Sequence, residues 1–134
     1  MKQSEFGAAL GARLATISPA IATSWPGINF APPADGSGFL EVTLFRNQPR
    51  RITIGGDHIM PGIYQVTVVW PKGRGPEADE KAQAVADLFP ADDKMTMTSG
   101  GYVRVTQAPQ IAQGLGTERG WEVPVSVFFE AHGG

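Results

Sequence analysis

The sequence predicts an α+β fold: two helices packed on one face of a mainly antiparallel sheet, with a long hairpin around residues 40–70. Three observations lead there. Apolar residues recur at helical spacing near residues 6–17 and again near 78–89. Other apolar segments alternate with polar residues at the period of a strand. Seventeen Gly and eleven Pro fall largely between these segments, so the strands are joined by sharp turns. A chain of 134 residues suits a single domain, 1–134, with a real core. Hydrophobic residues make up 42% and charged residues 18%, which is the balance of a globular chain rather than a disordered one.

The first helix carries Phe6, Leu10, Leu14 and Ile17 on one stripe, with Ala9 beside them. Ser4 is its expected N-cap and Pro19 its stop. Lys2, the Ala/Leu-rich run and Ala20-Ile21-Ala22 imitate a cleavable signal peptide. Glu5 and Arg13 break that apolar run, so an amphipathic helix is expected instead. Residues 14–34 carry no charge, but Pro19, Pro26, Pro32 and Pro33 forbid a membrane-spanning helix. A short edge strand is expected near Ala22–Trp25, with Trp25 as a lid on the core rather than an exposed contact.

"FLEVTLF" (39–45) points Leu40, Val42 and Leu44 one way and Glu41 and Thr43 the other. "YQVTVVW" (64–70) aligns Tyr64, Val66, Val68 and Trp70, and its apolar density suggests a central strand. Between them, Ile52 and Ile54 alternate with Arg51 and Thr53, and Gly55-Gly56-Asp57 suggests the turn of a long hairpin. The second helix runs from about Pro76 to Leu88. Ala78, Ala82, Val85, Ala86 and Phe89 form its apolar face, Pro76 suits its first turn, and Pro90 stops it. "MTMTSGGYVRVTQ" (95–107) reads as a hairpin turning at Ser99-Gly100-Gly101. "WEVPVSVFF" (121–129) is the last strand. Pro124 cannot donate to a ladder, so that strand is expected on an edge or bulged.

Several patterns resemble chemical sites and fail on inspection. "VVWPKGRGPEADEKAQAVADLF" (68–89) has the strand, glycine loop and helix of a phosphate cradle. Yet Lys72 precedes Gly73 and Gly75, and no hydroxyl follows for a magnesium ion. Glu77, Asp79 and Glu80 in the opening turns complement the helix dipole already and repel phosphate. Glu77 and Lys81 also form an i,i+4 pair. The stretch is expected to be a connector. "GLGTERG" (114–120) nears a dinucleotide fingerprint but opens a strand instead of a helix, and is expected to be a flexible loop. Asp57-His58 is too small a set for a metal, His132 is expected in a frayed tail, and Asp92-Asp93 in a solvated turn. No Gly-x-Ser-x-Gly elbow exists. No catalytic, cofactor-binding or metal-binding residue is assigned, and the chain is not expected to be an enzyme. The absence of Cys excludes thiolate chemistry and disulfides and suits a reducing cytosol. The net charge of −2 gives no global basic field for nucleic acid.

What remains is an asymmetry of charge. Arg46, Arg50 and Arg51 crowd one loop, and Glu77, Asp79, Glu80 and Asp87 crowd one helix. Two solvated patches explain this blandly. The sharper reading makes them complementary surfaces of neighbouring subunits, a contact between unlike patches that closes into a ring.

With the segments in order, the chain resembles the tail-terminator-like minor tail proteins of phages and prophages. The resemblance runs through the N-terminal helix and "TSWPGINFAPPADGSGFLEVTLF", "GIYQVTVVWPKGRG", the alanine-rich helix ending in "LF", and "VRVTQAPQIAQGLGTERGWEVPVSVFF". It covers roughly Phe6–Phe129 and leaves 46–59 outside the matched pattern. It implies a structural protein of the virion tail, assembled in the host bacterial cytoplasm. Such proteins form a ring, hexameric in the lambda type, that caps the tail tube and joins the head. The implied partners are further copies of the chain, the major tail-tube protein and a head-completion protein. DNA passes through without being read, and no cofactor or membrane is involved. The alternatives are another neck or baseplate adaptor, or a small ligand-binding domain or enzyme.

Overall fold

The structure is a computed structural model that describes residues 3–17, 21–33, 36–46, 50–51, 58–97 and 100–132. Along the chain come α1 (Gln3–Leu14), β1 (Thr23–Ser24), β2 (Phe39–Arg46), β3 (Arg50–Arg51), β4 (His58–Trp70) and α2 (Gly75–Asp87). Then follow β5 (Lys94–Thr96), β6 (Tyr102–Val105), β7 (Gln110–Ile111), β8 (Leu115–Thr117) and β9 (Gly120–His132). The strands form one sheet in the order β1-β2-β4-β9-β6-β5. Outside that path β3 pairs with β4, and β7 and β8 pair with β9. Every pairing is antiparallel except that of β1 with β2. The α+β fold is therefore as the sequence predicts.

The long hairpin is β2 against β4, from Phe39↔Val69 to Arg46↔Gly62. Its arm continues as β3, with Arg50 opposite Ile59 and Arg51 opposite His58. The expected turn at Gly55-Gly56-Asp57 and the residues Ile52 and Ile54 lie outside the described residues.

Alternation sends Tyr64, Val66 and Val68 of β4 to one face with Val123, Val125 and Val127 of β9 opposite them. All six are at most 2% exposed. Both helices cover this face. Phe6 of α1 meets Phe129 with ring centroids 5.7 Å apart, and Phe89, just after α2, meets Tyr64 at 6.1 Å. Phe6, Leu10 and Leu14 are essentially fully buried, and each contributes roughly 1.5–3 kcal/mol by leaving water.

The helix ends differ in detail from the sequence reading. α1 begins at Gln3, so Ser4 lies inside its first turn instead of capping it. α1 ends before Pro19 because the chain tightens. The N–H groups of Thr16 and Ile17 donate to Arg13 and Leu14 three residues back, and Ile17 still reaches the core. α2 carries Pro76 in its first turn as expected, and Arg74 holds the N-cap position without a side-chain bond. Glu77 lies 3.8 Å from Arg74, while Lys81 lies over the Trp70 ring, 5.8 Å from its centroid.

The last strand overturns an expectation. β9 is not an edge strand: it lies between β4 and β6, and its register with β4 runs unbroken through Thr67↔Pro124. The reason is directional. Both backbone polar groups of a strand residue point to the same neighbour. The Pro124 carbonyl accepts from the Ala112 N–H, so the donor that proline lacks also faces that side, not β4. There the partner changes from β7 to β8, so the missing donor falls where the ladder is already interrupted.

Three smaller corrections follow. "GLGTERG" is a tight hairpin, β8 into β9, rather than a flexible loop. Its glycines serve Trp121: a Cβ on Gly114 would stand 2.3 Å from the indole Nε1. His132 is not frayed. It ends β9, stacks on Tyr102 at 4.7 Å and stands 3.4 Å from the Glu130 carboxylate. Asp92 and Asp93 are not merely solvated. The Asp92 N–H donates to Val105, its carboxylate meets Arg104 at 2.8 Å, and Asp93 pairs with Arg13.

Candidate functional site

A broad concavity lies at the β2 edge of the helix-covered face. It is an open groove of about 1080 Å³ between α1, the segment after β1, and β2. Gly7 and Gly11 form its helical wall. A Cβ on Gly7 would meet Leu44 at 3.7 Å, and one on Gly11 would meet Trp25 at 3.3 Å, so these small residues let the strand and the indole approach the helix. Trp25 packs on the core and so acts as the expected lid, while also lining the groove. Ile28 stands at its rim, 64% exposed. The sequence reading missed this feature. Its signal was the i,i+4 pair Gly7 and Gly11 beside the apolar stripe of α1.

Among the described residues, the edge beside this groove is open. The Leu40 N–H donates to Ala22 of the β1 arm at 2.8 Å, which fixes the outward direction of its backbone. Alternation points the Val42 carbonyl and both backbone groups of Leu44 the same way, beyond the stretch that β1 covers. Among the described residues no strand pairs with β2 on that side past Glu41.

The charged candidates stand apart. Arg46 ends β2 opposite Gly62, and Arg50 and Arg51 form β3 opposite Ile59 and His58. Their side chains lie outside the described set, so only their strand positions are fixed. At the other end of β4, Trp70 pairs with Trp121, which lies beside Gly75 at the start of α2. Eight residues of strand separate Gly62 from Trp70, roughly 27 Å. Glu77 is half-buried there, whereas Asp79 and Glu80 are exposed. Asp87, also exposed, lies at the far end of α2 and accepts a hydrogen bond from Gln83 at 2.8 Å. Within one chain the arginines and the opening turns of α2 therefore do not meet.

On the opposite face of the sheet a second cluster escaped the sequence reading because its members are distant in the chain. Arg119, in the β8–β9 turn, donates to both oxygens of Glu41 at 2.6 and 3.1 Å and to Glu122 at 2.7 Å. The two carboxylates raise the guanidinium pKa further. Arg119, assisted by Thr117, holds the Glu122 carboxyl below the usual range against the opposing effect of burial. This is a clamp between the hairpin turn and β2. Among the described residues no group of three or more His, Asp or Glu is placed to hold a metal ion, and no helix is long and apolar enough to cross a membrane.

Among curated proteins no sequence match is found. Solved structures do match. One, a protein known only by a sequence identifier, shares 28% identity at a TM-score of 0.79, covering 98% of this chain and 96% of its own. Another is a chain from the virion of a native gene transfer agent particle. It has 12% identity and a TM-score of 0.61, covering 97% of this chain and 95% of its own, a likeness of fold. The family model for phage tail terminator proteins matches residues 5–129. With nearly the whole length of the α+β sheet inside that match, the chain belongs to the phage tail terminator family, structural proteins of the phage tail.

Proposed function

We propose that the protein, acting as one unit over residues 1–134, forms a ring that caps the tail tube, stops its growth and presents the surface for head joining. The observation that carries this reading is the separation of Arg46, Arg50 and Arg51 from Glu77, Asp79 and Glu80 along β4. Patches of opposite sign that do not meet within one chain are free to meet between chains. A contact between unlike patches is heterologous, and it closes into a ring when the rotation allows. Asp87 adds to the acidic side. The copy number is six, as the resemblance to lambda-type terminators implies. The tube contact is with the major tail-tube protein and the upper contact with a head-completion protein. The virion origin of one solved relative supports assembly among such proteins.

DNA passes through the ring without being read, and the work is structural rather than enzymatic. Assembly takes place in the host bacterial cytoplasm, and neither a cofactor nor a membrane takes part. The test is negative-stain microscopy of tail tubes with and without the protein. Tubes of defined length with a capping ring are expected. Bare tubes that go on lengthening in its presence overturn the reading.

A further inference from the structure

The geometry points to how neighbouring copies join: the uncharged segment around β7 of one copy adds to the open edge of β2 in the next, with Ile111 seated in the groove beside α1. This inference rests on the ring reading and names its contact.

The first argument is about edges. An open strand edge is a template for pairing, and proteins usually guard it with charge. On the β5 side of the sheet, Lys94 stands in the edge strand, with Asp92 and Asp93 next to it. No charged residue occurs between Arg104 and Glu118, the stretch that contains β7. The Ala112 N–H points inward to Pro124, so the backbone groups of Ile111 and Gln113 point outward. Ile111 itself is 39% exposed. Pro109 also points outward but has no N–H, so outward donation starts at Ile111. The β2 edge is likewise free of charge from Val42 to Phe45 and carries Arg46 only at its end.

The second argument is about faces. Ile111 pairs with Val125, which lies on the helix-covered face, so Ile111 shares that face. A strand added to β2 with its faces continuous places Ile111 over the side where Val42, Leu44, Gly7 and Trp25 line the groove. Asp87 shares a small cleft with Ile111 and Pro109, so the same approach carries the acidic helix toward the edge that ends in Arg46. β2 and β7 lie on opposite flanks of the sheet, because β4 and β9 stand between them. A contact from one flank to the other repeats head to tail, as ring closure requires.

The chain has no native Cys, so introduced thiols report cleanly. Thr43→Cys and Gln110→Cys place two exposed thiols on the helix-free face, one on each proposed edge. A Thr43→Cys/Thr96→Cys protein tests the β5 edge in the same way. Each is assembled on tail tubes, checked for rings by microscopy, and treated with a short bis-maleimide. The expected result is a ladder of linked chains from Thr43→Cys/Gln110→Cys, ending at the ring number, and none from the Thr96→Cys pair. Rings without that ladder, or a ladder from the Thr96→Cys pair instead, overturn the edge assignment and leave the ring reading standing. Absence of rings from the unmodified protein overturns both. Ile111→Asp removes the apolar anchor without touching the fold's core. It is expected to weaken self-association at least about tenfold, from the area a buried Ile withdraws from water. Unchanged association counts against the seating.

Discussion

Gly120→Ala tests whether the glycines of "GLGTERG" serve the paired tryptophans. Gly120 has φ +137°, a region essentially reserved for glycine, and a Cβ there would stand 2.3 Å from the Trp70 carbonyl oxygen and 3.3 Å from its carbon. Both obstacles are backbone, so no side-chain rotation relieves them. The backbone strain alone costs on the order of 1–3 kcal/mol. Relieving the contact requires moving the end of β4 against β9, where Trp70 pairs with Trp121. A total near 3 kcal/mol is expected. For 134 residues the unfolding entropy is roughly 0.28 kcal/mol per kelvin, so Tm falls by about 10 °C. Gly116→Ala in the same hairpin is the control, because its Cβ would make only ordinary contact with the Trp121 ring at 3.8 Å. Scanning calorimetry of both variants decides the matter. A Gly120→Ala melt within about 2 °C of the parent, or equal falls in both variants, refutes the steric account.

Other perturbations probe separate parts of the molecule. Phe6→Ala removes the ring that α1 packs, tilted, against Phe129 and should cost about 3–5 kcal/mol in urea melts. A loss below 1 kcal/mol would mean α1 is not anchored there. The depressed Glu122 pKa adds stability above the ordinary carboxylate range, and that stability disappears as pH falls through the folded-state value. Arg119→Met should therefore destabilise more at pH 7 than at pH 3, by no more than about 1 kcal/mol because the pair is part-exposed. Equal losses at both pH values argue against the clamp. Burial raises the Tyr64 pKa above its usual 10, so the unfolded chain ionises first and stability falls as pH rises past 10. In a Tyr102→Phe background, tyrosinate absorbance from Tyr64 should appear only together with loss of near-UV dichroism. A reversible titration near 10 in the folded protein would contradict this.

How much of this was legible beforehand follows from range along the chain. The β2–β4 hairpin and the buried face of α2 were readable because their evidence is local. Alternation from Leu40 to Leu44, and helical spacing from Ala78 to Phe89, are properties of a few successive residues. The candidate site was less legible. Arg119 and Glu41 lie 78 residues apart, and no local pattern pairs them. The groove needed Gly11 to meet Trp25, and the place of β9 depended on which flank of it faced Ala112.

By itself, the sequence determined the composition of each surface: an apolar face for the core, an acidic α2, an arginine-rich turn after β2, and charge-free stretches at 42–45 and 105–117. Burial forces that patterning, since apolar residues must share a face whatever the fold. Only the tertiary structure decided which surfaces share a flank. It tolerated Pro124 in a central strand by turning the missing donor toward an interrupted ladder. It set the arginine-bearing edge and the opening turns of α2 at opposite ends of β4 and, among the described residues, left β2 and β7 open on opposite sides. Direction and distance between segments come from strand order and register, which are set by long-range pairing that no short window of sequence contains.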